Sequence, residues 1–292
     1  MILPASLTVC LLVLWQTPAF RLDVEAVLVD VSVLHRGEPV LSLAAADFEL
    51  LDNGVRQQIE LVNTESLPGL PLSVLLVLDT SSSMAGEKIG HLRVAAQVLL
   101  SGLEAKDQAA LVAFSGHLQL RADWTSDGVL LRRAVDGLEA FGATALNDAL
   151  FAGLMMTASL RRPMIVLFTD GDDTFSWLSE AQVLRTAEES SAVVYAVGLA
   201  AGQETEGGSK FEESPLLREA VEMTGGRLFY AAAARDLKSV FERILKEATG
   251  RYLLSYQPRG VAKEGWHQLE VKLKGRRGEV RARRGYYYDR AR

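Results

Sequence analysis

Apolar positions change rhythm twice along the chain. Between Leu22 and Leu34 they alternate, with Val27, Val29, Val31 and Val33 on one face, the period of a half-buried strand. Phe48 to Leu51 is a second short apolar run, Asp52-Asn53-Gly54 is a tight-turn signal, and Val55 to Val62 continues in strand fashion. The stretch TESLPGLP, Thr64 to Pro71, then breaks any regular element and reads as a linker.

Beyond Pro71, nearly unbroken apolar runs (Ser73 to Leu78, Ala109 to Phe114, Met164 to Phe168, Ala192 to Val197) alternate with stretches of helical spacing. The helical stretches are Glu87 to Leu103, Asp127 to Leu138, Leu146 to Leu160 and Ser179 to Ser190. In the first, Ile89, Leu92, Ala96, Leu99 and Leu103 form one apolar face. Such runs belong to central strands covered by helices on both sides, so the pattern predicts an α/β fold with a doubly wound, mostly parallel sheet. His117 to Trp124 alternates instead and reads as an antiparallel edge strand. A last helix, Leu237 to Ala248, stops at Thr249-Gly250. Strands then return in RYLLSYQP, HQLEVKLKG and EVRARRGYYY. Neither flank offers enough strands to bury a face alone. Residues 20–63 and 251–292 are therefore expected to pair as a small β-sandwich-like domain, with residues 72–250 inserted between them.

Composition adds limits. With 292 residues, 49% of them hydrophobic, a substantial core is affordable without crosslinks. Eight prolines, 23% charged residues and no long biased tract argue against extensive disorder. A net charge of −6 gives no global attraction to nucleic acid. The local basic run from Gly275 to Gly285, carrying Arg276, Arg277, Arg281, Arg283 and Arg284, is interleaved with strand-type residues and reads as a solvated strand face. The single cysteine, Cys10, lies in the apolar stretch Leu7 to Trp15, which ends in Thr17-Pro18-Ala19. That stretch is too short to span a membrane, and its small residues are spaced for signal peptidase. The expectation is a signal peptide over residues 1–19 and an exported protein, periplasmic, cell-surface or secreted, without an integral span after cleavage. Lipidation at Cys10 is the alternative, against which stands the bulk of Val9.

The candidate chemistry begins where the first central strand ends. In LVLDTSSSM, Leu76 to Met84, an apolar run stops at Asp79, and Ser81 and Ser83 complete a D-x-S-x-S pattern. An acid at the carboxyl end of a central parallel strand sits where open α/β sheets bind ligands. Its partners offer only oxygen, the donor set of a hard cation such as Mg²⁺, which takes about six oxygens, rather than of Zn²⁺. Alone, the pattern also fits serines capping the next helix. Two further loops strengthen it: Phe141-Gly142-Ala143-Thr144 precedes a helix, and Leu167-Phe168-Thr169-Asp170-Gly171 ends another strand.

Three motifs in this order resemble a von Willebrand factor type A (VWA) domain, over roughly Leu72 to Gly250. The resemblance implies a metal-ion-dependent adhesion site (MIDAS) in which Ser81, Ser83 and Thr144 give hydroxyl oxygens, and Asp79 and Asp170 bind the metal directly or through water. It implies Mg²⁺, or Mn²⁺ or Ca²⁺, bridging to an Asp or Glu of a partner protein, with no catalysis. Ala143 departs from the family, which more often has a second glycine there. In related domains ligand binding can accompany movement of the last helix, here Leu237 to Ala248, and the loop Ala200 to Glu213 is placed to select the partner. The flanks resemble a bacterial group of exported proteins built around this domain, through Asp47 to Gly54, Tyr252 to Pro258 and Arg283 to Tyr286.

Two rival readings remain. A structural role in an envelope assembly would use the metal only to brace three loops. A Mg²⁺-dependent phosphohydrolase using Asp79 as nucleophile would want an acid two residues on, where Ser81 stands. There is no G-x-S-x-G, H-E-x-x-H or phosphate-loop motif. His35, His91, His117 and His267 are scattered and read as surface or helix-face residues.

Overall fold

Segments from both ends of the chain build two antiparallel sheets around an inserted α/β body. The computed structural model describes residues 26–61, 71–160, 162–199, 214–262 and 264–288. The proposed signal peptide with Cys10, the linker up to Gly69-Leu70 and the loop Ala200 to Glu213 lie outside the described residues. Before the body come β1 (Val27–His35), β2 (Glu38–Pro39), β3 (Phe48–Asp52), β4 (Val55–Arg56) and β5 (Ile59–Leu61). The body holds β6 (Ser73–Asp79), α1 (Glu87–Ser101), β7 (Gln108–Phe114), β8 (Leu118–Thr125), α2 (Gly128–Asp136), α3 (Leu146–Thr157), β9 (Pro163–Thr169), α4 (Glu180–Glu189), β10 (Val193–Leu199), α5 (Pro215–Thr224), β11 (Arg227–Ala231) and α6 (Leu237–Thr249). After it follow β12 (Tyr252–Tyr256), β13 (Gly265–Leu273), β14 (Glu279–Arg281) and β15 (Gly285–Tyr288).

The body's sheet runs β11-β10-β9-β6-β7-β8, parallel except for β8 at one edge, which pairs antiparallel with β7. Alternate residues of β6 serve opposite layers: Val74, Leu76 and Leu78 pack with α1, α2 and α6, while Leu75 and Val77 pack with α3, α4 and α5. That two-sided burial explains why β6 reads as an unbroken apolar run. The chain steps from β6 to β7 on one side and later to β9 on the other, so the carboxyl ends of β6 and β9 flank the switch point where such sheets bind ligands.

In the flanks, β1 pairs with β12 and β14, and β13 pairs with β3 and β15, so strands from before and after the body are interleaved. Two runs read as single strands are each split. Val55 to Val62 divides at Gln57 and Gln58, which carry the chain from β4 in one sheet to β5 in the other; the buried Gln57 side chain donates to Val55 O and Arg259 O at 3.1 and 3.0 Å. EVRARRGYYY divides into β14 and β15, again in different sheets. Periodicity could not show these corners because both halves keep the same alternation.

His267, read as a surface residue, is fully buried. Its Nδ1 lies 2.8 Å from Asp52 Oδ1, and Asp52 Oδ2 accepts from Tyr256 and Tyr286 hydroxyls at 2.8 and 3.0 Å. The three flanking motifs thus meet at one buried carboxylate, which ties β3, β12, β13 and β15 together.

A second buried network joins sandwich to body. Arg251, just after α6, pairs with Asp30 of β1 and donates to Tyr195 OH at 3.2 Å and to Gly225 O at 3.0 Å. Arg162 reaches Asp30 at 3.1 Å. Burial alone would raise the Asp30 carboxyl, but the two guanidinium groups override it and hold it below the usual carboxylate range.

Candidate metal centre

β6 delivers Asp79 to the sheet edge with no solvent exposure. The chain then turns at once, and the Ser81 N–H donates to Asp79 Oδ1 at 2.8 Å, curling the D-x-S-x-S loop back on its own acid. From β9, the Thr169 hydroxyl donates to Asp79 Oδ2 at 2.7 Å. Burial pushes the Asp79 carboxyl above its ordinary range; the hydrogen bonds from Ser81 and Thr169 oppose this and the Asp170 charge adds to it.

Ser83 donates to Asp170 Oδ1 at 2.6 Å, and the Ser81 and Ser83 hydroxyls lie 2.9 Å apart. Asp79, Ser81, Ser83 and Asp170 are thereby linked in one polar chain across β6 and β9. Thr144, 7% exposed, reaches the same edge through its loop. Ser82 N–H donates to Gly142 O at 3.0 Å, and Phe141 N–H to Thr80 O at 2.8 Å. Gly142 takes φ +81°, and a Cβ there would sit 3.4 Å from Ser115 Oγ, so the turn into Thr144 favours glycine. The structure therefore gathers at one edge the five residues singled out by the sequence, four joined by hydrogen bonds and Thr144 through its loop.

Sequence reasoning missed two participants. Thr169 donates its hydroxyl to Asp79, and its signal was adjacency to Asp170. Lys88, in the first turn of α1, places Nζ 2.6 Å from Asp170 Oδ2. Beside them, Asp173 accepts from Ser176 Oγ at 2.5 Å and from Asn147 N–H at 3.3 Å, docking its turn on α3.

The donor set fits a hard divalent cation. Two carboxylates and two serine hydroxyls are linked at this edge, the loop bonded to Thr80 and Ser82 carries a third hydroxyl at Thr144, and none of the five is a thiolate or an imidazole. Among the described residues no group of three or more His, Cys, Asp or Glu side chains forms a conventional carboxylate or nitrogen cage. Any cation here rests on mixed hydroxyl and carboxylate oxygen.

Comparison with known proteins agrees with this architecture. Residues 74–172 match the profile of the von Willebrand factor type A domain. Inter-alpha-trypsin inhibitor heavy chain H4 of Sus scrofa is 30% identical over 132 residues, 41% of this chain but only 14% of that protein. The vWF domain of the type V pili tip protein Mfa5 from Porphyromonas gingivalis superposes with a TM-score of 0.50 at 13% identity, over 66% of this chain and 98% of that one. A von Willebrand factor type A structure from Catenulispora acidiphila gives 0.52 at 14% identity, over 88% of this chain and 70% of that one.

Proposed function

We propose that the protein, whose residues 74–172 match the von Willebrand factor type A domain, is an exported binding module that captures a partner protein through a divalent cation held by Asp79, Ser81, Ser83, Thr144 and Asp170. The observation that carries this reading is the fully buried Asp79 carboxyl at the switch point, bonded to Ser81 and Thr169 and linked through the serine hydroxyls to Asp170. Two carboxylates would leave a bound Mg²⁺, Mn²⁺ or Ca²⁺ under-neutralised and able to accept an Asp or Glu oxygen from a partner. Asp79 and Asp170 hold charge, Ser81, Ser83 and Thr144 present neutral oxygens, and the loop bonds fix their directions.

A purely bracing cation is less well supported. The loops are already tied to one another by the Ser82–Gly142 and Phe141–Thr80 backbone bonds, and Lys88 already neutralises Asp170. Binding is favoured over hydrolysis because the serine hydroxyls bond each other and Asp170, the arrangement of ligands awaiting a cation rather than of an activated nucleophile. Export rests on the Leu7 to Ala19 pattern, and no helix among the described residues is long and apolar enough to cross a membrane. The test is capture of partners from envelope extracts by the full chain, with Mg²⁺ or with chelator. Capture should require Mg²⁺ and vanish in Asp79→Ala; capture that survives both changes rules out the cation bridge.

A further inference from the structure

The two loops that bring Thr144 and Asp170 to the edge also carry three exposed aromatic residues: Phe141 at 42%, Phe175 at 55% and Trp177 at 91% exposure. Scattered apolar residues on a surface need no explanation. Phe141 and Phe175 are different because their backbones are bonded to the loops of the site, and Trp177 follows Phe175 on the same loop, its backbone bonded to the first turn of α3. Phe141 N–H donates to Thr80 O at 2.8 Å and Phe175 N–H to Thr144 O at 3.1 Å. Trp177 N–H donates to the Asp148 carboxylate at 3.1 Å, and Leu178 N–H to the same group at 3.0 Å. Phe141 also packs against His117, ring centroids 5.6 Å apart. Phe175 lies over Gly116, where an added Cβ would be 3.5 Å from its ring and 3.8 Å from Ala143 N. The rim is therefore apolar and already ordered, which lowers the entropy lost on binding. Aromatic anchors around a central polar contact are the usual makers of binding energy.

We propose that this rim selects a protein segment whose acidic residue is flanked by apolar side chains. The inference rests on the cation-bridging reading above for the acid, and on the aromatic rim for its neighbours. Charge argues the same way. Asp172 and Glu87 are exposed beside the site, so further acids next to the bridging one are repelled, while Lys88 is committed to Asp170. Flanking apolar groups meet the rings instead and shield the central contact from water.

The test uses cyclic hexapeptides with a central Asp flanked by Leu, Ser or Lys, titrated into the full chain in Mg²⁺ and followed by calorimetry and by Trp177 emission, taken as the difference from a Trp177→Phe chain. The Leu-flanked peptide should bind at least about tenfold more tightly than either of the others and shift Trp177 emission to the blue. The double substitution Phe175→Ser and Trp177→Ser should abolish that preference, read by calorimetry, and leave Mg²⁺ binding unchanged. Equal or better binding of Ser- or Lys-flanked peptides, an unchanged preference in the double variant, or no binding by any peptide overturns the proposal. Replacing the central Asp by Asn, or adding chelator, separates the two claims. If Leu-flanked peptides keep their advantage and affinity under both changes, the apolar surface stands and the cation bridge fails.

Discussion

Asp79→Asn should make the metal-free protein more stable, although it alters a fully buried hydrogen-bonded group. The wild-type carboxylate has no solvent contact, is pushed toward its neutral form by burial, and faces Asp170 rather than a cation of its own. Asparagine keeps the shape and can still accept the Ser81 N–H. Its amide can donate to Thr169 Oγ1, whose own proton has an alternative acceptor in Gly171 O at 2.9 Å. No polar group is left stranded while one buried charge disappears, for which we expect a gain of about 1–2 kcal/mol, the size of common stabilising changes at functional sites. That corresponds to a rise of roughly 3–6 °C in Tm for a protein of this size class. The sign with pH follows from the raised carboxyl. Ionised Asp79 costs stability as pH rises through its folded value, so the advantage of asparagine should be full above that value, shrink as pH falls through it and be gone below about pH 4, where an ordinary carboxyl is also protonated. Adding Mg²⁺ should reverse the order, since a cation at about a hundred times its Kd adds about 2.7 kcal/mol to a chain that binds it and nothing to one that does not. Differential scanning calorimetry with chelator and with Mg²⁺ measures all three effects. A metal-free Asp79→Asn chain that melts below wild type would refute the reasoning.

Other outcomes follow from the same contacts. Arg251→Met should cost about 3–5 kcal/mol by chemical denaturation, because it strips a buried partner from Asp30 and leaves Gly225 O without its donor. Asp30 has a lowered carboxyl, so its contribution is present above about pH 4 and lost as pH falls through its folded value; the wild-type urea midpoint should drop across that acid range more steeply than that of Arg251→Met. Lys88→Met removes a partly exposed ion pair that competes for Asp170, worth up to about 1 kcal/mol, and should tighten Mg²⁺ binding roughly fivefold by calorimetry; weaker binding would assign Lys88 a supporting role instead. Gly226→Ala would place a Cβ 1.9 Å from Val194 O and should cost about 3 kcal/mol in thermal unfolding, since backbone must move on both sides.

The α/β body was legible because its strands are covered on both faces and its helices on one, so the two patterns differ sharply along the chain. Helices α1, α2, α3, α4 and α6 stand within a few residues of their expected bounds. Helix α5 and strand β11 were not read: ten and five residues long, they lie on either side of Gly225-Gly226, although Ser214-Pro215 and that glycine pair mark the helix's ends. In the sandwich, the strands and the pairing of the two flanks were legible but the corners were not, because which residue turns a corner between sheets depends on partners distant in sequence, as with Gln57 and Arg259. At the site, residue types and spacing pointed to five oxygen donors. Lys88 and Thr169 escaped notice because a lysine in a helix and a threonine ending a strand have ordinary local reasons to be there, and only the fold brings them to Asp170 and Asp79. His267 shows the opposite error: an isolated histidine in sequence became the buried partner of Asp52, two hundred residues away in order of magnitude.

The central claim is that this edge holds one divalent cation through hydroxyl and carboxylate oxygen together. Electron paramagnetic resonance of Mn²⁺ titrated into the full chain, with Mg²⁺ as competitor, counts that cation directly. The account predicts one Mn²⁺ per wild-type chain, displaced by Mg²⁺, and none at the same concentrations in the Ser81→Ala, Ser83→Ala double variant with an unchanged circular dichroism spectrum. Equal Mn²⁺ binding by the two proteins would contradict it.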